Sequence, residues 1–347
     1  FCLSFFLPVT IYVEIENSIR AITKGSFLPS QHISWAYFIT FLRTNLIIRH
    51  NLMHTLPSLE DFITQSKEFD VIAVRAEFTA DAETPLSAYA KLSKNKPAFL
   101  FESVVGGEQV SRFSFVGCNP KKIISCGQTE TIINELGNAP KTIPTPEDPL
   151  TIIEEELNGL NYLGFDDETR FSGGAVGYIS YEYANRIEPT VPIHEEDDLD
   201  LPILYFMIAD LVLVFDHAHQ SLTICANSTP GNDPKIAYQE ACIRIQETID
   251  LLALPSNLTP ASIHGNESIE NVKGNLSKEE FEELVNKTKE FIRSGDVIQT
   301  VLSQRFSIPY SGPPINLYRA IRAINPSPYM FLLEGEDFSV VGASPEV

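Results

Sequence analysis

Few residues in this chain combine a type and a spacing that could do chemistry. Asp216-His217-Ala218-His219 offers a carboxylate and two imidazoles within four positions. A metal site needs further ligands at set spacings, and no further His or Cys has ligand-like spacing nearby, so the stretch reads as a turn. Gly173-Gly174-Ala175-Val176-Gly177 is glycine-rich, but it is neither a phosphate-binding loop nor a GxGxxG opening a helix. Apolar residues continue straight after it, so these glycines are expected to let backbones approach closely within a strand. The acidic run at 195–200 reads as a solvated loop. Taken alone, Glu102-Ser103 is a polar strand end and Asn325-Pro326 a helix stop.

The elements that must position these groups follow from hydrophobic periodicity. Strands are predicted at 98–103 and 111–117, with a hairpin over 122–126 and 131–134. Asp148-Pro149 supplies a cap and a first-turn proline for a helix carrying Leu150, Ile153, Leu157 and Leu160 at helical spacing. A buried strand with a glycine distortion is predicted over 171–183 and one long apolar strand over 203–216, followed by a turn at 217–220 into a strand at 221–225. Asp233-Pro234 opens a helix with Ala237, Ala241, Ile245 and Leu252 on one stripe. Residues 254–275, rich in Pro, Ser and Asn, read as a linker. Beyond it, Ser277 to Glu280 is a capping box, and Gly295 closes the helix at a position needing positive φ. That helix presents Phe281, Leu284, Val285, Thr288, Phe291 and Ile292 on one face. A strand over 297–308, a short helix near 315–324, and strands at 329–333 and 338–342 complete an α+β pattern.

Charge narrows the function classes. The 347 residues hold 25 basic and 46 acidic side chains, a net of −21. Nucleic acid and anionic membranes demand basic patches, so neither is expected as a partner. Residues 1–52 differ from the rest, with two acidic and four basic groups against 44 acidic and 21 basic beyond them. They are read as a spurious extension or a transit-like segment, poor in acids, with the native start at Met53. Their longest apolar stretch is too interrupted to span a membrane. The five cysteines form no CxxC pair, which favours a reducing, cytoplasmic setting over a disulfide scaffold; plastid or mitochondrial targeting by 1–52 remains the alternative.

Four segments resemble the large subunit of anthranilate synthase, component I, among the chorismate-utilising enzymes. They are the stretch from Thr84-Pro85-Leu86-Ser87 to Leu92; Phe99-Leu100-Phe101-Glu102-Ser103 with Arg112-Phe113-Ser114-Phe115; Gly173 to Tyr178; and Asn325-Pro326-Ser327-Pro328-Tyr329-Met330-Phe331. The run from Ser294 to Phe306 and the closing Gly342-Ala343-Ser344-Pro345-Glu346 are shared more widely among chorismate users. The resemblance covers roughly 53–347.

The resemblance implies an α+β sandwich of antiparallel sheets with flanking helices and two intertwined halves. The domains would be 53–260, regulatory, and 276–347, the beginning of a chorismate-binding domain. A domain ending two strands in cannot close its core, so the chain is expected to stop short. The implied reaction converts chorismate and ammonia to anthranilate and pyruvate, with Mg²⁺ whose ligands would lie beyond Val347. A glutamine amidotransferase subunit would supply the ammonia, and L-tryptophan would inhibit. The tryptophan site would comprise Glu102, Ser103, Asn325, Pro326, Pro328, Tyr329 and Met330. A zwitterion's ammonium wants a carboxylate or hydroxyl, and its indole wants a flat apolar wall. Gln299 sits where hydrating relatives carry a lysine base. A neutral amide cannot activate water, whereas ammonia is already a nucleophile. The alternatives are aminodeoxychorismate synthase, or an inactive fragment that only binds tryptophan or a partner.

Overall fold

The computed structural model describes residues 53–94, 96–104, 112–164, 171–192, 197, 199–261 and 272–346. Residues 1–52 and half of the acidic run at 195–200 lie outside them. His54–Val347 cluster into one compact unit.

Two sheets form the frame. The larger is built from β1 (Val71–Thr79), β2 (Ala98–Glu102), β3 (Phe113–Cys118), β7 (Tyr162–Leu163), β10 (Leu211–Asp216), β11 (Ser221–Ser228), β14 (Tyr329–Glu334) and β15 (Ser339–Ser344), in the order β15-β14-β2-β3-β10-β11-β1-β7. All its pairings are antiparallel except the two-residue contact of β1 with β7. The smaller sheet runs β6-β5-β4-β9-β8, from β4 (Lys122–Cys126), β5 (Glu130–Glu135), β6 (Lys141–Pro144), β8 (Gly174–Ile179) and β9 (Leu204–Ala209). Phe99, Val176, Tyr205, Met207, Val212, Val214 and Leu333 fill the space between the sheets. On the far side of the large sheet lie α1 (Leu59–Gln65), α2 (Pro85–Leu92), α5 (Pro234–Leu252) and α7 (Pro314–Ile324). The helix α3 (Leu150–Leu157) backs the small sheet over Ile124, Cys126 and Leu204. The short α4 (Ala184–Ile187) follows β8. The result is an α+β sandwich.

Local chemistry explains the helix starts. Thr84 caps α2 through a reciprocal box with Ser87, and Pro85 takes the first turn, where its missing N–H costs nothing. Asp233 caps α5, whose predicted stripe Ala237, Ala241, Ile245 and Leu252 is buried. Ser277 and Glu280 form the predicted box at the start of α6 (Lys278–Ser294), and Gly295 closes it at φ 86°.

Three expectations need correction. The apolar run 203–216 is not one strand: it breaks at Asp210, β9 lying in the small sheet and β10 in the large one. Continuous apolar sequence says that both parts are buried, not that they share a sheet. The strand predicted over 171–183 shortens to β8. Gly173 precedes it and Gly174 begins it, opposite Ala209, at φ 148° and 129°, and a 3-10 turn at Tyr181–Tyr183 follows it. The strand predicted over 297–308 reduces to β13 (Phe306–Ser307), paired with β12 (Lys273–Gly274). Extended backbone becomes a strand only where a neighbouring strand takes its N–H and C=O groups; the Arg305 C=O accepts from the Asn275 N–H at 3.0 Å, and among the described residues no strand pairs with 297–304. The predicted apolar face of α6 is also left without cover, with Phe291 and Ile292 more than two-fifths exposed.

The β14–β15 hairpin extends the large sheet beside β2, so strands from 53–260 and from 276–347 share one sheet.

Candidate regulatory cavity and family

β2 and β14 run antiparallel with Phe101 opposite Phe331 and Glu102 opposite Met330. Side chains alternate across a sheet. Phe99 and Phe101 therefore face the small sheet, and Ser103 continues that side. Glu102, Met330 and Glu334 take the helix side. On the inner side the two sheets part to leave a cavity of about 600 Å³. Ser103, Pro328, Tyr329 and Met330 line it together with Phe101, Phe113, Phe115, Phe331 and Tyr178.

The cavity is apolar with a sparse polar edge. Ser103 Oγ is buried and has no hydrogen-bond partner among the described residues. Burial pushes the Tyr178 hydroxyl up to about 12, with Glu182 adding to the shift. It therefore stays protonated and donates to the Pro202 carbonyl at 2.9 Å. Gly177 borders the cavity where a Cβ would come within 1.8 Å of the Tyr205 carbonyl oxygen. Only glycine lets β8 pass this close to β9, and that approach shapes the wall.

Glu102 borders the cavity but its carboxylate is engaged elsewhere. Tyr318 Oη donates to Oε2 at 2.6 Å, and the Arg322 guanidinium lies 3.3 Å from the same oxygen. Burial, then the neighbouring Glu102, raises the Tyr318 hydroxyl far above its ordinary value, so it remains a donor. Of the two acceptors read from the sequence, Ser103 is thus the free one.

The remaining site residues fall apart. Asn325 ends α7, its N–H bonded to the Ile321 carbonyl, and Pro326 follows; both are exposed and neither lines the cavity. Gln299 is exposed on irregular chain after Gly295 and does not line it either. The strand predicted over 297–308 does not reach Gln299. Sequence reading missed Phe113, Phe115, Tyr178 and Phe331. Period-two alternation through the aligned strands would have found the first two, because Phe115 pairs with Phe101.

The His-rich stretch forms the predicted turn. Asp216 accepts from Arg112 Nη2 at 2.8 Å and contacts His219 Nδ1 at 2.9 Å. Among the described residues no group of three or more His, Cys, Asp or Glu is placed to hold a metal ion. No helix among them is long and apolar enough to cross a membrane.

Comparison with known proteins places this geometry. An anthranilate synthase component 1 of Acetivibrio thermocellus is 36% identical over 297 residues, covering 84% of this chain and 59% of that protein. The one of Synechocystis is 34% identical over 303 residues, covering 84% and 59%. The crystal structure of anthranilate synthase component I from Streptococcus pneumoniae TIGR4 superposes with a TM-score of 0.53 at 26% identity, over 78% of this chain and 57% of that one. The chain thus spans under three-fifths of the length of these relatives. The family model described as chorismate binding enzyme matches residues 96–347, and the chain belongs to that family.

Proposed function

We propose that the chain is part of an anthranilate synthase large subunit, and that the cavity between its sheets is the regulatory site for L-tryptophan. The enzyme would convert chorismate and ammonia to anthranilate and pyruvate, the ammonia coming from a glutamine amidotransferase partner. The supporting observation is that Ser103, at the end of an early strand, shares one apolar cavity with Pro328, Tyr329 and Met330, which lead into a strand more than two hundred residues later. An indole fits the wall of Phe101, Phe113, Phe115 and Tyr329, and Ser103 Oγ is a buried acceptor awaiting a donor.

Regulation follows from position. β14 carries part of the cavity wall and is followed by β15, within the segment that matches the chorismate-binding family. A ligand that holds β2 and β14 in one spacing would bias that segment, with a coupling of roughly 1–3 kcal/mol between the two ligands. Gln299 supports amination over hydration, since a neutral amide cannot deprotonate water. The resemblance calls for Mg²⁺; the described residues offer no donor set that fits it, and none is assigned to the metal.

The test uses the complete enzyme with ammonia as nitrogen donor and anthranilate fluorescence as readout. Ser103→Phe should leave turnover and remove tryptophan inhibition, because the ring occupies the cavity. Undiminished inhibition in that variant rejects the site. Accumulation of aminodeoxychorismate in place of anthranilate rejects the activity and leaves the cavity assignment standing.

A further inference from the structure

The point where the chain crosses between sheets carries a second cavity, which the function above does not use. Asp210 is the crossing residue. Around it, α3, the start of β8, the end of β11 and the first half of α5 enclose about 520 Å³, within the usual range of roughly 300–1,000 Å³ for small-molecule sites. Leu157, Leu160 and Ile208 give it an apolar wall.

Its charges form an incomplete set. Asp210 Oδ2 is paired with Arg244 at 2.9 Å. Its other oxygen, Oδ1, is buried and has no donor among the described residues. Burial raises the Asp210 carboxyl above its ordinary range, opposed by Arg244 and by the charge of Lys121. Lys121 lines the same cavity and is exposed, whereas the adjacent Lys122 is held by Glu156 at 2.6 Å. A buried carboxylate oxygen without a donor is costly, and native structures rarely leave one unmet. Here the unmet acceptor, a nearby ammonium and an aliphatic wall face one space.

We propose that this cavity is a separate site for a free α-amino acid with an aliphatic side chain. Its ammonium would donate to Asp210 Oδ1, its carboxylate would meet Lys121 Nζ, and its side chain would lie on Leu157, Leu160 and Ile208. This complementarity needs both charges on the ligand, and it does not depend on the tryptophan assignment.

Calorimetry on the full chain with L-leucine as probe tests it. Binding is expected for L-leucine, and for neither 4-methylpentanoate, which lacks the ammonium, nor 3-methylbutylamine, which lacks the carboxylate. Lys121→Gln should weaken binding about tenfold with an unchanged melting temperature, since the side chain is exposed. Asp210→Asn should abolish it; because that change also disturbs the Arg244 pair, the Lys121 variant and the two analogues decide. Ser103→Phe should leave leucine binding intact. No binding at millimolar L-leucine, equal binding of either analogue, an unaffected Lys121→Gln, or loss of binding in Ser103→Phe each overturns the proposal.

Discussion

Replacing Tyr318 by phenylalanine removes a single oxygen from the interior. The ring is fully buried, so shape and apolar contact are kept. What is lost is the 2.6 Å hydrogen bond to Glu102, a residue only 6% exposed. Hydrogen bonds to charged groups contribute about 1.5–3 kcal/mol, and an orphaned buried acceptor carries a desolvation penalty of similar size. Arg322 remains 3.3 Å away but is itself 42% exposed, so it offsets only part. The expected loss is therefore about 1.5–3 kcal/mol by urea unfolding, or a melting temperature lower by roughly 3–8 °C for a unit of this size. Tyr89→Phe is the internal comparison. It removes the 2.7 Å bond to Glu334, which keeps Lys96 at 2.9 Å, and should cost less. The two carboxylates sit at opposite ends of the β2–β14 pairing, so the double variant should be nearly additive. A loss below about 0.5 kcal/mol for Tyr318→Phe, the scatter of ordinary surface changes, would refute the reasoning that this bond anchors α7 to β2.

Two further outcomes follow from the geometry. Gly177→Ala places a methyl 1.8 Å from a backbone oxygen that cannot rotate away; destabilisation of at least about 1–3 kcal/mol and weakened L-tryptophan binding are expected in unfolding and calorimetric measurements, and a wild-type melting curve would contradict the close β8–β9 contact. Asp216 is pushed up by burial, but hydrogen bonds from Arg112 and His219 outweigh this and hold its carboxyl far below the ordinary range. A carboxyl depressed in the folded state contributes stability present above its unfolded value, about 3.9, and lost as pH falls below it. Urea unfolding from pH 7 to pH 3 should therefore show a steeper acid loss for the wild type than for Asp216→Asn; parallel profiles would show that the Arg112 pair contributes nothing.

Much of the local structure was legible in the sequence because its causes are local. The Ser277–Glu280 box, the Gly295 stop, the buried stripe of α5 and the turn at 217–220 each rest on residues within a turn or two of one another. The membership of Ser103 and the Pro328-Tyr329-Met330 stretch in one candidate site was legible only through resemblance, since no periodicity links residues so far apart. Tertiary structure alone decided the rest. Backbone pairing placed β14 beside β2 and so brought Ser103 to Tyr329. The same register turned Glu102 away toward Tyr318, because adjacent residues of a strand must face opposite sides. The break at Asp210 was invisible in an unbroken apolar run: burial is written in side-chain type, but the choice of sheet depends on which strand supplies the hydrogen bonds. For the same reason residues 297–304, apolar enough to read as a strand, form none where no strand among the described residues pairs with their backbone.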